Sequence, residues 1–347
     1  MSTIPQPDTI LTAQPALFNR THWDRIRLTG DDRIRFLHNQ TTNNIQRLNP
    51  GQGCHTVFVT SIGRTLDLAS VYVLPDSLLL IVSPGMGKSL YEWMDRYIFF
   101  SDKVTLIDES EEMFLFTLLG ENADAIATAL GADTLIGQPT FSHSPFSPQN
   151  VILPASDPNP ETELSFHIAV GTDLALPGYT LWGPKAYADD LCQALCKAGA
   201  TPHTDEQWEQ LRIQQGRPMP SNELTDTDNP LEAGLWQSVS FEKGCYIGQE
   251  TIARLNTYQG VKKRLWGLAL EGAAPTDSFA TGSPITTNGT KIGKITSVTQ
   301  SDAGTFGLGY IRTKAGEAGM TVDIEGKSAQ VIALPFLTHE YYTSKSS

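Results

Sequence analysis

Eight consecutive residues, Lys243-Gly244-Cys245-Tyr246-Ile247-Gly248-Gln249-Glu250, put a thiol, a cation, an amide, a carboxylate and an aromatic ring into one short stretch. Most of these side chains gain nothing from an apolar core, so chemistry is a better reason for the mixture than packing. Gly244 and Gly248 give backbone freedom on both sides of the cysteine. Residues 251–255 have the pattern of the first turns of a helix, which makes the octamer a loop-to-helix junction. Such a junction offers free N–H groups and a partial positive charge. A thiol placed there beside Lys243 is expected to have a lowered pKa and to act as a nucleophile. The plainer alternative is a buried cysteine in a glycine turn, since free cysteine packs like a small hydrophobe. The whole octamer favours a functional site with Cys245 and Lys243 at its centre.

The flanking elements must position this turn. Residues 25–28 suggest a strand, followed by a helix that Asp31 could cap. After it comes the polar run His38 to Asn44. Two β-rich runs, 55–59 and 66–73, are joined by Thr60-Ser61-Ile62-Gly63-Arg64 as a hairpin, with Asp67 at the strand edge. Ser83 to Ser89 ends in Gly-Lys-Ser after a strand. It lacks the first glycine of a phosphate-binding loop, because Val82 holds that place. The segment is therefore expected to be a turn opening a helix. Residues 77–82, 113–119 and 165–170 suggest core strands, and 123–130, 184–198 and 205–215 suggest helices. Cys192 and Cys196 share one helix face, expected to turn to the core, because two cysteines alone make a weak metal site. Six prolines between 138 and 161 mark irregular loops or a subdomain junction. From residue 261 to 337, short strands with glycine turns, including the hairpin signal Asn288-Gly289, describe a small antiparallel β-barrel. No internal repeat is visible.

A length of 347 residues allows two or three domains with a core that needs no staples, and a formal net charge of -13 argues against general nucleic-acid or membrane-surface binding. Four cysteines in so long a chain do not form a disulfide framework, and reduced thiols are expected. The polar, proline-containing start carries no secretory pattern, and no apolar run approaches the ~20 residues of a membrane span. A cytoplasmic, monomeric protein is the expectation.

The octamer closely resembles the signature of the YgfZ-type folate-binding proteins, relatives of the aminomethyltransferase (T-protein) of the glycine cleavage system. Further residues carry the likeness: Leu211-Arg212-Ile213, Asn222-Glu223-Leu224 and Gly234-Leu235 before it, and Ala253-Arg254 and residues 261–265 after it. Near the start, Leu28-Thr29-Gly30-Asp31-Asp32, Thr41-Thr42-Asn43 and Pro50-Gly51 match the family's opening segment. The resemblance covers roughly residues 20–335. It implies an α+β fold of interleaved subdomains around a central channel for tetrahydrofolate or a one-carbon derivative, plus the C-terminal barrel. The corresponding division is an N-terminal extension 1–20, a folate-binding region 21–260 with its junction near 138–161, the barrel 261–337 and a frayed tail 338–347.

A reduced pterin requires amide and carboxylate hydrogen bonds, and its glutamate tail requires cations. The resemblance offers Thr41, Asn43, Arg212, Gln214, Tyr246, Gln249, Glu250, Arg254 and Lys262 for these tasks. The T-protein carries paired aspartates, one of them catalytic, where this chain has Asp67 followed by Leu68. Its usual glutamate two residues after the arginine is here Gln214. The implied function is an accessory role in iron–sulfur cluster assembly or repair, with folate and cluster-assembly or client proteins as partners. Against it stand a folate-dependent aminomethyl or one-carbon transferase and a scaffold with a vestigial pocket.

Overall fold

Met113–Leu119 and Ser77–Val82 are apolar except for Thr117 and Ser77, and every residue of both strands is buried. Strands of this kind need cover on two faces, and the architecture supplies it. The chain is described here by a computed structural model covering residues 14–120, 122–147, 166–270, 279–301 and 304–343. Its strands in chain order are β1 (Ala16–Asn19), β2 (Asp24–Thr29), β3 (Gly53–Val59), β4 (Thr65–Val73), β5 (Ser77–Val82), β6 (Thr105–Asp108), β7 (Met113–Leu119), β8 (His143–Phe146), β9 (Phe166–Val170), β10 (Gly178–Pro184) and β11 (Thr201–His203). Helices α1 (Arg33–Gln40), α2 (Gly87–Asp95), α3 (Ala123–Ala129), α4 (Ala188–Lys197), α5 (Asp205–Gln215) and α6 (Gln249–Thr257) accompany them. One sheet has the order β11-β1-β7-β10-β9-β8, the other β3-β4-β5-β2-β6.

The chain starts in the first sheet, builds the second and returns, so the two are interleaved. They face each other through a shared core in which Phe18, Leu115 and Trp182 meet Tyr72, Leu79 and Ile81. Leu191 and Leu195 of α4 and Ile126 of α3 cover the outer face of the first sheet. Leu37 of α1 and Leu90 and Met94 of α2 cover that of the second. Each such fully buried Leu or Phe contributes about 1.5–3 kcal/mol.

After α6 the chain forms a closed antiparallel barrel of β12 (Lys263–Leu270), β13 (Pro284–Thr287), β14 (Thr290–Ser301), β15 (Gly304–Arg312), β16 (Thr321–Ile324) and β17 (Lys327–Ile332), in the order β12-β15-β14-β13-β16-β17. Ile213 of α5 and Leu265, Leu308 and Tyr310 of the barrel share one core, which seats the barrel on that helix.

Several expectations change. The supposed N-terminal extension contains β1, whose Leu17 and Phe18 are buried; four residues are too few to show a period. Residues 1–13 lie outside the described residues. The chain crosses between sheets at 20–23 and 109–112. The proline-rich stretch, of which 148–161 lie outside the described residues, divides nothing, because β8 within it pairs with β9 beyond it. The tail after Leu337 is not frayed up to Thr343: Thr338 donates to the Gly234 carbonyl at 2.9 Å, and Tyr342 stacks on Phe241 at 5.2 Å. Helix α1 is preceded by Asp32, not Asp31, and Asp32 accepts from the Lys103 backbone at 3.0 Å instead of capping the helix. The segment 184–198 begins as the end of β10 and becomes α-helical only at Ala188. The Gly-Lys-Ser turn opens α2, and its Gly87 N–H is taken by the Asp24 carboxylate at 2.7 Å, which leaves no phosphate cradle.

Candidate functional site

The octamer forms the turn into α6, and the two glycines differ in purpose. Gly248, the N-cap of α6, has φ +81°, and a Cβ there would lie 2.6 Å from the Thr60 carbonyl oxygen. Gly63, at the tip of the β3–β4 hairpin, has φ +73°, and its added Cβ would sit 3.3 Å from the Gly248 oxygen. Hairpin tip and helix start therefore touch backbone to backbone, an approach that only glycine allows. Gly244 has open space around it and no left-handed backbone, so its glycine is not required sterically.

Lys243 does not reach toward Cys245. Its Nζ donates to the carbonyls of His38, of Thr41 at 2.6 Å and of Asn43 at 2.7 Å, just where α1 ends. The ammonium also lies 4.8 Å from the centre of the Tyr246 ring. Burial pushes Lys243 down to about 7, with the Cys54 thiol opposing. Burial raises that Cys54 thiol to about 12, and burial together with Lys243 lowers His38 to about 4. The lysine thus acts on Cys54 and on the end of α1, a correction to the expected Lys243–Cys245 pairing. Cys245 itself is exposed.

Around this turn the structure gathers several of the expected residues, though mostly through the backbone. Thr41 is fully buried and donates to the Leu37 carbonyl at 2.9 Å. Asn43 donates its side-chain amide to the His55 carbonyl at 2.7 Å and so ties the run after α1 to β3. Ile247 donates to the Asn39 carbonyl at 3.1 Å. Tyr246 is buried, its hydroxyl pushed up by that burial. Gln249 reaches back to the Lys243 carbonyl at 3.5 Å. Glu250, Arg254 and Lys262 are exposed. Beside the turn runs a half-open groove of about 680 Å³ lined by Trp236, Phe241, Glu242, Glu340, Tyr341 and Tyr342. That is a ligand-sized volume.

Asp67, Arg212 and Gln214 lie elsewhere. Asp67 is not a solvated strand-edge carboxylate. It is fully buried, accepts from Ser83 N at 2.8 Å, Ser83 Oγ at 2.7 Å and Leu68 N at 2.8 Å, and is raised to about 6 by burial. Arg212 is buried with Nε 2.6 Å from Glu209 and Nη1 3.1 Å from Glu223, and it also donates to Ser297 of the barrel at 3.0 Å. Its charge is spent joining α5 to the barrel and is not presented to a ligand carboxylate. Gln214 donates to Ser301 at 3.3 Å while its Oε1 is buried without a partner.

Residues that the sequence did not single out form a second polar centre between the sheets. Asp173, in the loop after β9, accepts from Arg20 at 2.7 Å, from His55 Nε2 at 3.0 Å and from Ser70. Burial alone would raise its carboxyl, but Arg20, the His55 bond and nearby Arg217 hold it well below the usual range. The Arg20 guanidinium lies 3.8 Å from the Trp23 ring centre and 4.3 Å from that of Trp208. In the sequence Gly171-Thr172-Asp173 is an ordinary turn. Its partners come from residues 20, 55 and 70, so no local signal marks it.

Comparison with known proteins adds to this geometry. Residues 10–151 match the model of the GCVT N-terminal domain, and residues 263–337 match that of the glycine cleavage T-protein C-terminal barrel domain. A protein of Arabidopsis thaliana is 43% identical over 94% of this chain and 72% of its own length; it is named as a chloroplastic transferase, an activity the name leaves provisional. An aminomethyltransferase of Halothermothrix orenii is 25% identical over 93% of this chain and 88% of its own. The crystal structure of the glycine cleavage system aminomethyltransferase T from Bartonella henselae superposes with a TM-score of 0.77 at 20% identity, covering 98% of this chain and 93% of that one. The plant relative's compartment differs from the cytoplasm expected here. Among the described residues, no helix is long and apolar enough to cross a membrane.

Proposed function

The chain belongs to the aminomethyltransferase superfamily, that of the glycine cleavage T-protein, and from that premise we propose that it is a tetrahydrofolate-binding accessory protein for iron–sulfur cluster assembly or repair. The observation that carries this reading is the contrast between Cys245 and Asp67. The octamer holds an exposed thiol at the edge of a clamped turn, while the remaining aspartate of the T-protein pair is buried and saturated by Ser83 and Leu68. A carboxylate with both oxygens engaged is poorly placed to take a proton from a substrate.

In this reading Cys245 is the reactive group, and Lys243 positions it by fixing the turn. Buried polar atoms without partners, Gln214 Oε1, Gln215 Oε1 and Arg217 Nε, are of the kind a pterin ring would satisfy. The exposed cations Arg254 and Lys262 suit a glutamate tail. Bound tetrahydrofolate would supply a carrier for one-carbon units. The chain's residues bind it, orient it and hold Cys245 at the surface, within reach of a cluster-assembly or client protein.

The purified protein, given aminomethylated carrier protein and tetrahydrofolate, is expected to release no ammonia at enzymatic rates. Ammonia release at such rates would establish the transferase. In a deletion strain, Cys245→Ser is expected to keep its folate affinity and fail to restore iron–sulfur enzyme activity. Full restoration would reduce the octamer to a folding element.

A further inference from the structure

His55 sits on β3 with its ring edge-on to Phe141, centroids 4.7 Å apart at 83°, and tilted toward Phe336 at 5.6 Å. Phe141 comes from the loop before β8 and Phe336 from the segment after the barrel. The histidine therefore lies where the two sheets meet the segment that follows the barrel. Its Nε2 meets Asp173 Oδ1 at 3.0 Å, and 18% of its side chain remains exposed. An ionised carboxylate can only accept, so Asp173 fixes the proton of neutral His55 on Nε2 and leaves Nδ1 as an acceptor. Among the described residues, none donates to that Nδ1.

Two members of this constellation are strained. Phe141 has φ +71° and Asp173 has φ +62°, a region that residues other than glycine rarely adopt, above all a bulky aromatic. Such strain persists only where surrounding contacts enforce it, and it gathers at ligand and active sites. Here the enforcing contacts are visible. Phe141 N donates to the Val170 carbonyl at 2.8 Å, and Asp173 is held from Arg20, His55 and Ser70. The products of that strain are an aromatic wall and a carboxylate aimed at one imidazole edge.

We propose that His55, oriented by Asp173 and walled by Phe141 and Phe336, is a recognition residue for a planar nitrogen heterocycle, accepting a hydrogen bond from a ring N–H through Nδ1. Resting on the folate reading, this assigns the heterocycle as the pterin ring and places it at the junction of the two sheets. Asp173 is then a positioning residue, because replacing its carboxylate with an amide lets the proton move to Nδ1 and removes the acceptor.

Calorimetric titration with tetrahydrofolate tests this on the full chain, with thermal unfolding confirming that each variant folds. His55→Phe keeps an aromatic ring without an acceptor and is expected to bind about tenfold more weakly, the equivalent of one lost hydrogen bond. His55→Asn places an amide oxygen near the Nδ1 position and is expected to stay within about threefold of wild type. Asp173→Asn is expected to fall with His55→Phe. Equal losses in His55→Phe and His55→Asn, or unchanged affinity in His55→Phe, overturn the assignment while leaving folate binding intact. Unchanged affinity in Asp173→Asn overturns the orienting role. Wild-type protein that shows no saturable heat with tetrahydrofolate overturns this assignment and the folate reading together.

Discussion

Lys243 and Arg20 are both buried cations, yet neutral carbonyl oxygens surround the one, while a carboxylate and two indole rings surround the other. The carbonyl cage supplies dipoles without a counter-charge, so Lys243 falls to about 7 and can give up its proton near neutrality. The Arg20–Asp173 pair carries its own neutralisation, and a guanidinium does not deprotonate in proteins. The difference shows how one molecule can build a fixed brace between its sheets and an adjustable clamp beneath its cysteine turn, both from buried positive charge.

Breaking the brace is expected to have the largest effect. Asp173→Ala leaves Arg20 without a counter-charge in the interior and should cost about 3–5 kcal/mol, read from the urea midpoint at constant slope. A loss below about 1 kcal/mol would mean that Thr117 and the two tryptophans suffice for the arginine. Lys243→Met comes next. It leaves three carbonyls without their donor and should cost about 1–3 kcal/mol. Hydrogen exchange should also quicken at the Ile247 amide, because the end of α1 is no longer held.

A third test sharpens the contrast through pH. In the unfolded chain Lys243 titrates near ~10.4, in the folded chain near about 7. Between those values the unfolded state binds the extra proton, so the folded state gains stability as pH rises. The expected slope is up to about 1.4 kcal/mol per pH unit from about pH 7 to about pH 10, and it should be flat below pH 7. The unfolding free energy of wild type minus that of Lys243→Met, measured at pH 7 and pH 9, isolates this contribution. A difference that does not change with pH would show that the cage keeps its ammonium protonated.

How far the sequence exposes these features depends on where the partners lie. Helix 205–215, strands 77–82 and 113–119 and the glycine-tipped hairpin follow from local periodicity and turn chemistry, and the structure has them at those residues. The octamer is visible as a loop-to-helix junction because all its chemistry is contiguous. What Lys243 touches is not visible, since its three acceptors are backbone atoms about 200 residues away, and every residue type has a carbonyl. Arg212 looks like a ligand clamp until Glu209 and Glu223 are found on it. Asp67 looks solvated until Ser83, 16 residues on, closes over it. Asp173 and His55 draw on four separate segments, and no spacing in the chain encodes that meeting.

The place of β1 in the first sheet bears on how the protein is made. Leu17 and Phe18 of this strand are flanked by Leu118 and Thr117 of β7 on one side and by Pro202 and His203 of β11 on the other. A ribosome adding about 5–20 residues per second needs roughly 10–40 s to travel from the first strand to the last of these neighbours. During that interval a short apolar strand stands with one or both edges unpaired, while the whole second sheet is synthesised and can fold ahead of it. Nascent chains halted before residue 201 should therefore hold a finished second sheet beside an open first one, a species suited to chaperone capture.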